Sequence, residues 1–303
     1  MIVFLNGQFV PETKAVVSVF DRGFLFGDAL WEAMLVTRGR PFLWAEHIRR
    51  FQQGIDVLKL ALPWTFDELE ARALELIQRN QMPEAMLRLT VSRGITGRGY
   101  SPRNAKNPAV VMSLHPAPRL DPTRPARWGV VTSSLRLPVN DPLARFKTAN
   151  KLPQILARAE ADAAGAHEAL LLNTKGYVAE GTTSNIFWVN KNIVHTPPLA
   201  AGPLPGVTRS LVGRLCRDAK IPFRETQSRP GSLLRAEGVF LTMTSYGIVE
   251  VESLDGKKLS RSPLTRQLYA AYLRAALVLP LPASTSAEAS GEPPFPGGGN
   301  GPV

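Results

Sequence analysis

The spacing of apolar residues predicts hairpins and helices in the first 115 residues of the chain. The segment 2–10, IVFLNGQFV, has two apolar runs around Asn6-Gly7, a dipeptide typical of a hairpin turn. Helices are predicted at 45–58 and 66–78, where apolar residues recur every three or four positions and Thr65 provides an N-cap. Further strands are predicted at 16–19, 33–37, 85–92 and 109–114.

The rest of the chain continues this mixture of elements. Strands are predicted at 130–133, 169–173, 177–189, 193–195 and 239–242, and helices at 207–219, 230–236 and 263–277. A further helix, 152–164, is followed by Gly165 at the position of a C-terminal cap. The buried face predicted for this helix consists of Leu152, Ile155, Leu156, Ala159 and Ala163. Hairpins mixed with helices favour an α+β fold over a doubly wound sheet.

A proline-rich segment divides the predicted elements into two groups. We therefore predict a small N-terminal α+β domain at 1–115, an interdomain linker at 116–127 and a larger C-terminal domain at 128–282. Residues 283–303 are rich in Ser, Pro and Gly, lack apolar periodicity, and are predicted to be a disordered tail.

The composition narrows the classes of partner. The 303 residues carry a net charge of +11, but no basic run has interleaved aromatic residues, so we predict a site for small anionic molecules and no nucleic acid partner. No apolar run has the length of a membrane span, and no membrane partner is predicted. The histidines lie in no metal-ligand spacing, so no metal site is predicted. The single cysteine, Cys216, cannot form an internal disulfide, which favours a cytoplasmic location.

Lys147 is the first candidate for chemistry, because it stands just before the predicted helix 152–164. Most lysines are solvated surface charges, and the surrounding stretch 144–153 alone favours that interpretation. The alternative is a lysine in a dry pocket, where a lowered pKa would let it form a Schiff base. Lys151 is a competing candidate, although it begins the helix and is expected to face solvent or substrate.

Four groups of segments resemble, in order and content, the class IV family of pyridoxal-phosphate (PLP) enzymes. They are 21–32 with 46–51, the Lys147 stretch, 177–187, and the paired turns 204–209 and 241–247. The family contains branched-chain and D-amino-acid aminotransferases and 4-amino-4-deoxychorismate lyase. The resemblance covers residues 2 to about 275 and implies the two-domain D-amino-acid aminotransferase-like fold, with PLP as cofactor and a homodimer as the assembly.

The resemblance also implies roles for individual residues. Lys147 would form the Schiff base with PLP and then move the proton at the substrate carbon, while Glu180 would accept the ring N–H. Arg50 would bind the cofactor phosphate through its guanidinium fork. The other implied cofactor contacts are Ser184, Asn185, Val207, Thr208, Met243 and Thr244.

Each of these residues also has a structural alternative. Arg50 could be a solvated helix arginine, Glu180 an exposed strand carboxylate, and Thr208 and Thr244 plain N-cap or turn residues. A phosphate clamp and a ring-nitrogen partner make sense together only with a Schiff-base lysine, which favours the cofactor interpretation.

The reaction is predicted from the loop 92–101, which is similar to that of 4-amino-4-deoxychorismate lyases. On this basis the protein would release pyruvate and 4-aminobenzoate, a folate precursor, with Arg98 and Tyr100 holding a substrate carboxylate. Trp31, Ser245 and Tyr246 are the other candidate substrate contacts. The segment 180–185 and the turn 204–209 are at least as similar to aminotransferases acting on branched-chain or D-amino acids. A basic, non-enzymatic anion-binding protein is a distant alternative.

Overall fold

The structure is a computed structural model that describes residues 1–277. The predicted tail at 283–303, and the last residues of the predicted C-terminal domain, lie outside the described residues. None of the helices within 1–277 is both long enough and apolar enough to cross a bilayer.

The first sheet forms from the N-terminal third of the chain. Its strands are β1 (Ile2–Leu5), β2 (Gln8–Pro11), β3 (Ala29–Thr37), β4 (Arg40–Pro41), β5 (Ala85–Ser92) and β6 (Val110–Pro116). They pair antiparallel in the order β2-β1-β6-β5-β3-β4. Helices α2 (Trp44–Leu58) and α3 (Phe66–Asn80) cover one face, while the short α1 (Arg22–Phe26) precedes β3.

Alternation along β3 and β5 explains why only one face of this sheet is sealed. Side chains of successive strand residues point to opposite faces, and Leu87 and Leu89 are fully buried while Arg88 between them is half-buried. The same alternation in β3 buries Leu30, Glu32 and Met34 and leaves Trp31 partly exposed. The half-open face of the sheet therefore carries Trp31 and Arg88.

The second sheet is larger and mixed. Its strands are β7 (Ala126–Leu137), β8 (Glu168–Asn173), β9 (Val178–Gly181), β10 (Asn185–Asn190), β11 (Ile193–Thr196), β12 (Phe223–Glu225), β13 (Gly238–Met243), β14 (Gly247–Leu254) and β15 (Lys257–Lys258). Their order is β12-β11-β10-β13-β14-β7-β8-β9, with β15 paired to β14. The flanking helices are α4 (Leu152–Ala163), α5 (Val207–Asp218), α6 (Pro230–Leu233) and α7 (Pro263–Leu277).

The structure confirms the predicted mixture of strands and helices and several local predictions. The Asn6-Gly7 hairpin joins β1 to β2, and both turn residues have positive φ. Thr65 caps α3 in a capping box with Glu68. The segment between the sheets, predicted as a linker, is held by the Tyr269 hydroxyl, which donates to the Asp121 carbonyl at 2.7 Å. The division into domains at 116–127 stays a prediction.

Several sequence predictions were wrong in detail. Residues 16–19 form no strand, and Val16 and Val19 are exposed. Strand β3 begins at Ala29 rather than at 33, and α6 ends at Leu233 rather than at 236.

The buried face of α4 was also predicted wrongly. Its buried residues are Ala157 and Ala161, which pack against the second sheet. Leu152, Ile155 and Leu156 instead point outward. The small side chains of Ala157 and Ala161 let the helix approach the sheet closely. The larger apolar residues lie on the other side of the helix, where they form a stripe that nothing within residues 1–277 covers.

Candidate active site

The backbone around Lys147 is held by the first sheet, although Lys147 itself precedes α4 on the second. The Trp31 amide donates to the Lys147 carbonyl at 2.9 Å, and the Ala149 amide donates to the Ala29 carbonyl at 2.9 Å. An isolated bridge joins Leu30 to Thr148 between them. Strand β3 therefore fixes the position of the lysine, and the site lies where the two sheets meet.

The surroundings of Lys147 favour its neutral amine. Its Nζ lies 3.9 Å from the centroid of the Trp31 ring. Burial, followed by the nearby Arg50 guanidinium, lowers the pKa of Lys147 to about 7, and the Glu32 carboxylate opposes this shift. A lysine with this pKa supplies a substantial fraction of free amine near neutral pH, as a nucleophile or a general base requires.

Three buried side chains form a network beside Lys147. The Arg50 Nε and Nη2 groups donate to the two carboxylate oxygens of Glu32 at 2.8 and 2.6 Å, and His47 Nδ1 lies 2.8 Å from Glu32 Oε2. Burial alone would raise the pKa of Glu32, but the charge of Arg50 and the contact with His47 lower it to about 2. Burial lowers the pKa of His47, and its Nδ1–H donates to Glu32 because an ionised carboxylate can only accept a hydrogen bond. The ionised Glu32 thus fixes the orientation of Arg50.

The N-terminus of α5 lies next to Arg50. Arg50 Nη1 donates to the Pro205 carbonyl at 3.0 Å, and α5 begins two residues later at Val207 with no side-chain cap on Gly206. Free N–H groups at a helix N-terminus and a guanidinium together suit a phosphate dianion. A Cβ added to Gly206 would collide with Asn185, so glycine is needed for this close approach.

Arg50 has N–H groups left over to hold a phosphate. A guanidinium has five N–H groups, and within residues 1–277 Arg50 uses three of them, two on Glu32 and one on Pro205. One N–H on each terminal nitrogen stays available. The partly buried Thr244 and the buried Val207, Thr208 and Met243 occupy the two turns predicted to share this role. The residues present therefore fit a phosphorylated cofactor.

Glu180 lies near the end of β9 and is hydrogen bonded to the segment that leads into α5. Its Oε2 accepts the Leu204 amide at 2.9 Å, and Asn185 Nδ2 donates to the Leu204 carbonyl at 2.9 Å. Burial raises the pKa of Glu180 to about 7, although the Leu204 amide and the nearby Lys151 lower it. A carboxyl group of this kind can share a proton with a ring nitrogen, as the resemblance implies.

The structure gives Ser184, Asn185 and Asn150 tasks within the protein. The Ser184 hydroxyl donates to Glu168 at 3.1 Å, while Asn185 is used on Leu204. Asn150 Nδ2 donates to the Gly27 carbonyl at 3.2 Å, at the end of α1. These polar side chains hold the elements around the site in position.

Trp31 and Arg88 extend the site along the half-open face of the first sheet. The Arg88 guanidinium carbon lies 4.0 Å from the centroid of the Trp31 ring, and Trp31 Nε1 donates to the Thr148 carbonyl at 3.1 Å. Burial lowers the pKa of Arg88, and its described hydrogen bond is with the neutral Thr90. Within residues 1–277, Arg88 has no carboxylate partner.

The loop that carries Arg98 and Tyr100 lies apart from this group. Both residues are exposed, and the Tyr100 ring packs against Phe26 of α1 at a centroid distance of 5.3 Å. The buried Arg22 fixes the loop backbone, because Nη1 donates to the Gly99 carbonyl at 3.0 Å and Nη2 to the Tyr100 carbonyl at 2.9 Å. Arg22 is itself paired with Asp28 at 2.8 Å.

The turn between β13 and β14 contains the remaining predicted residues. Strand β13 pairs with β10, with Thr242 opposite Asn185, so Met243 and Thr244 follow directly beside the Asn185 end of the site. Tyr246 packs edge-on against Trp128 at 5.1 Å between ring centroids. Ser245 is partly exposed on the same turn. The substrate roles predicted for Ser245 and Tyr246 stay predictions.

Sequence reasoning missed Glu32, His47, Arg88, Glu168 and Arg22. A signal existed for Glu32, since it shares the buried alternation of Leu30 and Met34, and a carboxylate on a core-facing position requires a partner. Glu168 likewise opens a fully buried strand. The sequence did not show which side chains pair with these carboxylates, because those partners are not close neighbours along the chain.

Known proteins resemble this chain over most of its length. The family profile described as amino-transferase class IV matches residues 29–254. The chain belongs to this family. Class IV aminotransferases use pyridoxal 5′-phosphate, and this family member is a PLP-dependent enzyme. The first prediction from the sequence, family membership, is thereby confirmed.

Two relatives illustrate the range of the similarity. A Methanocaldococcus jannaschii protein named for branched-chain-amino-acid aminotransferase activity is 36% identical over 257 residues, which cover 85% of this chain and 89% of the relative. The D-alanine aminotransferase of Staphylococcus aureus is 31% identical over 271 residues, covering 88% and 94%.

Solved structures show the same fold. The branched-chain amino acid aminotransferase of Escherichia coli matches with a TM-score of 0.85 and 25% identity, covering 91% of this chain and 94% of that one. A Legionella pneumophila chain named for 4-amino-4-deoxychorismate lyase activity matches with a TM-score of 0.80 and 26% identity, covering 87% and 97%. The comparisons favour the aminotransferase alternative over the lyase prediction made from loop 92–101.

Proposed function

We propose that this protein is an aminotransferase that moves an amino group between an amino acid and a keto acid. The observation that carries the proposal is that Lys147 lies near both Arg50, which bonds to Pro205 just before α5, and Glu180, which bonds to Leu204. The named aminotransferases among its relatives support transamination over elimination. The lyase activity stays a second candidate, supported by the Legionella neighbour.

The protein side chains would divide the chemistry as follows. Bound PLP supplies an aldehyde that condenses with amines and a ring that accepts electrons from the substrate α-carbon. The Lys147 amine would take the proton from the substrate α-carbon and deliver it to the cofactor carbon that is bonded to the transferred nitrogen, acting as base and then as acid. Arg50 and the α5 N-terminus would anchor the phosphate, and Glu180 would hold a proton at the ring nitrogen.

Arg88 supports a statement about the substrate class. It is a half-buried cation on the same Trp31 ring that contacts Lys147, and the described residues give it no carboxylate. A substrate carboxylate would replace the hydration that Arg88 loses. We therefore include dicarboxylic amino or keto acids among the substrates, with Arg88→Gln expected to raise their KM more than that of apolar amino acids.

We also propose that the protein is a homodimer. Phe24 and Leu25 of α1 and Leu152 of α4 are exposed apolar residues, and Asn150, two residues before Leu152, is hydrogen bonded to Gly27 at the end of α1. Phe24 is 74% and Leu152 70% exposed, which is typical of surfaces that a partner covers. Light scattering should give twice the chain mass for wild type, and Phe24→Glu with Leu152→Glu should give the monomer mass.

One set of assays tests the proposed reaction. Purified protein is incubated with PLP and with a panel of L- and D-amino acids, each with a keto acid acceptor. Amino-group transfer that disappears in Lys147→Ala would support the proposal. Release of pyruvate and 4-aminobenzoate from aminodeoxychorismate without an acceptor, and no transfer with any pair, would instead support the lyase. A protein that binds no PLP would contradict both.

A further inference from the structure

Glu168, the first residue of β8, is an ionisable residue that accepts many hydrogen bonds and has no role in the reaction proposed above. It is fully buried, and its two oxygens accept hydrogen bonds from the turn 182–184 that joins β9 to β10. Neither the lysine chemistry nor the phosphate site uses it. A fully buried carboxylate is costly unless it is well bonded, so its presence at this point needs a reason.

The turn supplies donors to both carboxylate oxygens. Glu168 Oε1 accepts the Thr182 amide at 3.0 Å and also the Thr182 hydroxyl. Oε2 accepts the Thr183 amide at 3.2 Å, the Thr183 hydroxyl at 3.0 Å and the Ser184 hydroxyl at 3.1 Å. The Ala169 amide also donates to Oε1, at 2.8 Å. These six hydrogen bonds offset the cost of burying the Glu168 side chain.

The same turn connects Glu168 to Glu180. Leu171 pairs with Glu180 and Leu170 pairs with Gly181, so Glu180 lies two residues before the turn that Glu168 holds. Any Cβ on Gly181 would collide with Ser184 and approach Glu168, which shows how closely the turn is folded over the carboxylate. After the turn, Asn185 joins Glu180 in bonding to Leu204.

The charges that face Glu180 come from two parts of the chain. Lys147 and Lys151, just before and at the start of α4, place positive charge near it, and Glu168 from β8 places negative charge near it. Arg50 adds positive charge near both lysines. A negative charge held on one side of Glu180 favours a proton in the space between Glu180 and a bound ring.

We propose that Glu168 is a positioning residue, which holds the turn 182–184 and, through its negative charge, helps Glu180 to keep the ring nitrogen of bound PLP protonated. This inference rests on the proposed function, because it assigns Glu180 to the ring nitrogen. It goes beyond it by identifying a residue that acts through Glu180 without touching the cofactor.

A purely structural role for Glu168 makes a different prediction from this electrostatic one. If Glu168 only holds the turn in place, its replacement should lower the stability of the folded protein and leave the proton at the ring nitrogen unchanged. If its charge acts on Glu180, removing the charge should lower the proton affinity of the ring nitrogen even in a folded protein. The two roles are therefore separable by a spectroscopic measurement.

The experiment follows the ring nitrogen by NMR of the holoenzyme loaded with 15N-labelled PLP, across a pH series. In Glu168→Gln the deprotonation midpoint is expected to fall by about one pH unit or more relative to wild type. Glu168→Asp retains the charge on a shorter side chain and is expected to titrate near wild type even if its melting temperature falls. The control is Glu250→Gln, which removes a buried carboxylate of the same sheet that pairs with Arg261 at 3.1 Å.

The outcomes separate the two levels of inference. A wild-type titration in Glu168→Gln, with only a lowered melting temperature, would overturn the role of Glu168 while leaving the proposed function intact. A shift of equal size in Glu250→Gln would overturn it as well. If Glu168→Gln does not fold, Glu168→Asp keeps the inference falsifiable, because loss of the ring proton in that variant contradicts an effect of charge. Failure of wild type to bind PLP would remove the proposed function and this inference together.

Discussion

The two ends of the candidate site differ in how their side chains are held. At the Lys147 end, Glu32, His47 and Arg50 are buried and joined to one another by side-chain hydrogen bonds. At the loop 94–101, the predicted carboxylate-binding residues Arg98 and Tyr100 are exposed, and Arg22 holds only their backbone. The side chains of the first group are therefore held in place by contacts within one chain. In the second group only the backbone is held, and the side chains face solvent.

This difference follows from what each end must do. A phosphate and an aromatic ring have fixed shapes, so rigid, buried donors can be arranged for them in advance. Substrate side chains vary, and exposed residues on a fixed loop can differ between relatives without disturbing the core. We therefore expect mutations at the Lys147 end to abolish cofactor use and mutations at the loop to change substrate preference.

The largest effect is expected for Lys147→Ala. Loss of the amine that attaches the cofactor and moves the proton should reduce turnover by about 10²–10⁴-fold or more. Borohydride reduction followed by peptide mass mapping should find the cofactor on Lys147 in wild type. Lys151→Ala is the matched control and should retain the modified peptide. Modification of Lys151 instead would show that the competing lysine is the reactive one.

The next effect is expected for Arg50→Ala, measured as the dissociation constant for PLP. Loss of charge-assisted hydrogen bonds worth about 1.5–3 kcal/mol each should weaken binding by about 10–100-fold or more. Arg49→Ala, on the exposed side of the same helix, should bind PLP as wild type does. Equal losses in the two variants would mean that α2 acts only by general positive charge.

Glu32→Gln tests the support of Arg50 rather than the contact itself. Removing the ionised partner leaves the guanidinium buried without its counter-charge, which should lower the free energy of unfolding by about 3–5 kcal/mol. Denaturant unfolding of the apo protein measures this loss. A variant as stable as wild type would show that the buried pair contributes nothing net to folding.

The pH dependence of cofactor attachment comes next. Because the pKa of Lys147 is lowered to about 7 from 10.5, the amine is neutral above about pH 7 and protonated below it. The rate at which apo protein captures PLP covalently should therefore rise with pH and level off above a midpoint near 7. Stopped-flow absorbance gives this midpoint. A rate still rising steeply toward pH 10 would mean that Lys147 titrates as an ordinary solvated lysine.

The smallest effect is expected for Arg22→Ala. Releasing the backbone of loop 94–101 should raise substrate KM by about 10-fold, the size of one lost hydrogen-bonded contact, with PLP affinity little changed. Arg103→Ala, an exposed arginine just beyond the same loop, serves as the control. A parallel loss of PLP binding in Arg22→Ala would instead connect the loop to the Lys147 end.

Local rules of sequence accounted for much of the fold. The Asn6-Gly7 turn, the Thr65 cap and the apolar periods of α2, α3 and α5 depend on neighbours within a few residues, and those elements form where predicted. The same rules did not predict that Leu152 and Ile155 of α4 face outward. These residues have helical spacing, but nothing within the described part of the chain covers them. Periodicity shows which residues share a face and leaves open what that face meets.

The sequence by itself determined the family and its cofactor, since the ordered motifs around Lys147, Glu180 and the turn at Val207 are specific enough to recognise. Only the tertiary structure decided which side chains support them. Glu32 reaches Arg50 across 18 residues, Arg50 reaches Pro205 across 155, and Arg22 reaches Tyr100 across 78. Such contacts depend on how strands and helices from distant parts of the chain are brought together. A pattern along the sequence does not show which distant residues become neighbours in space.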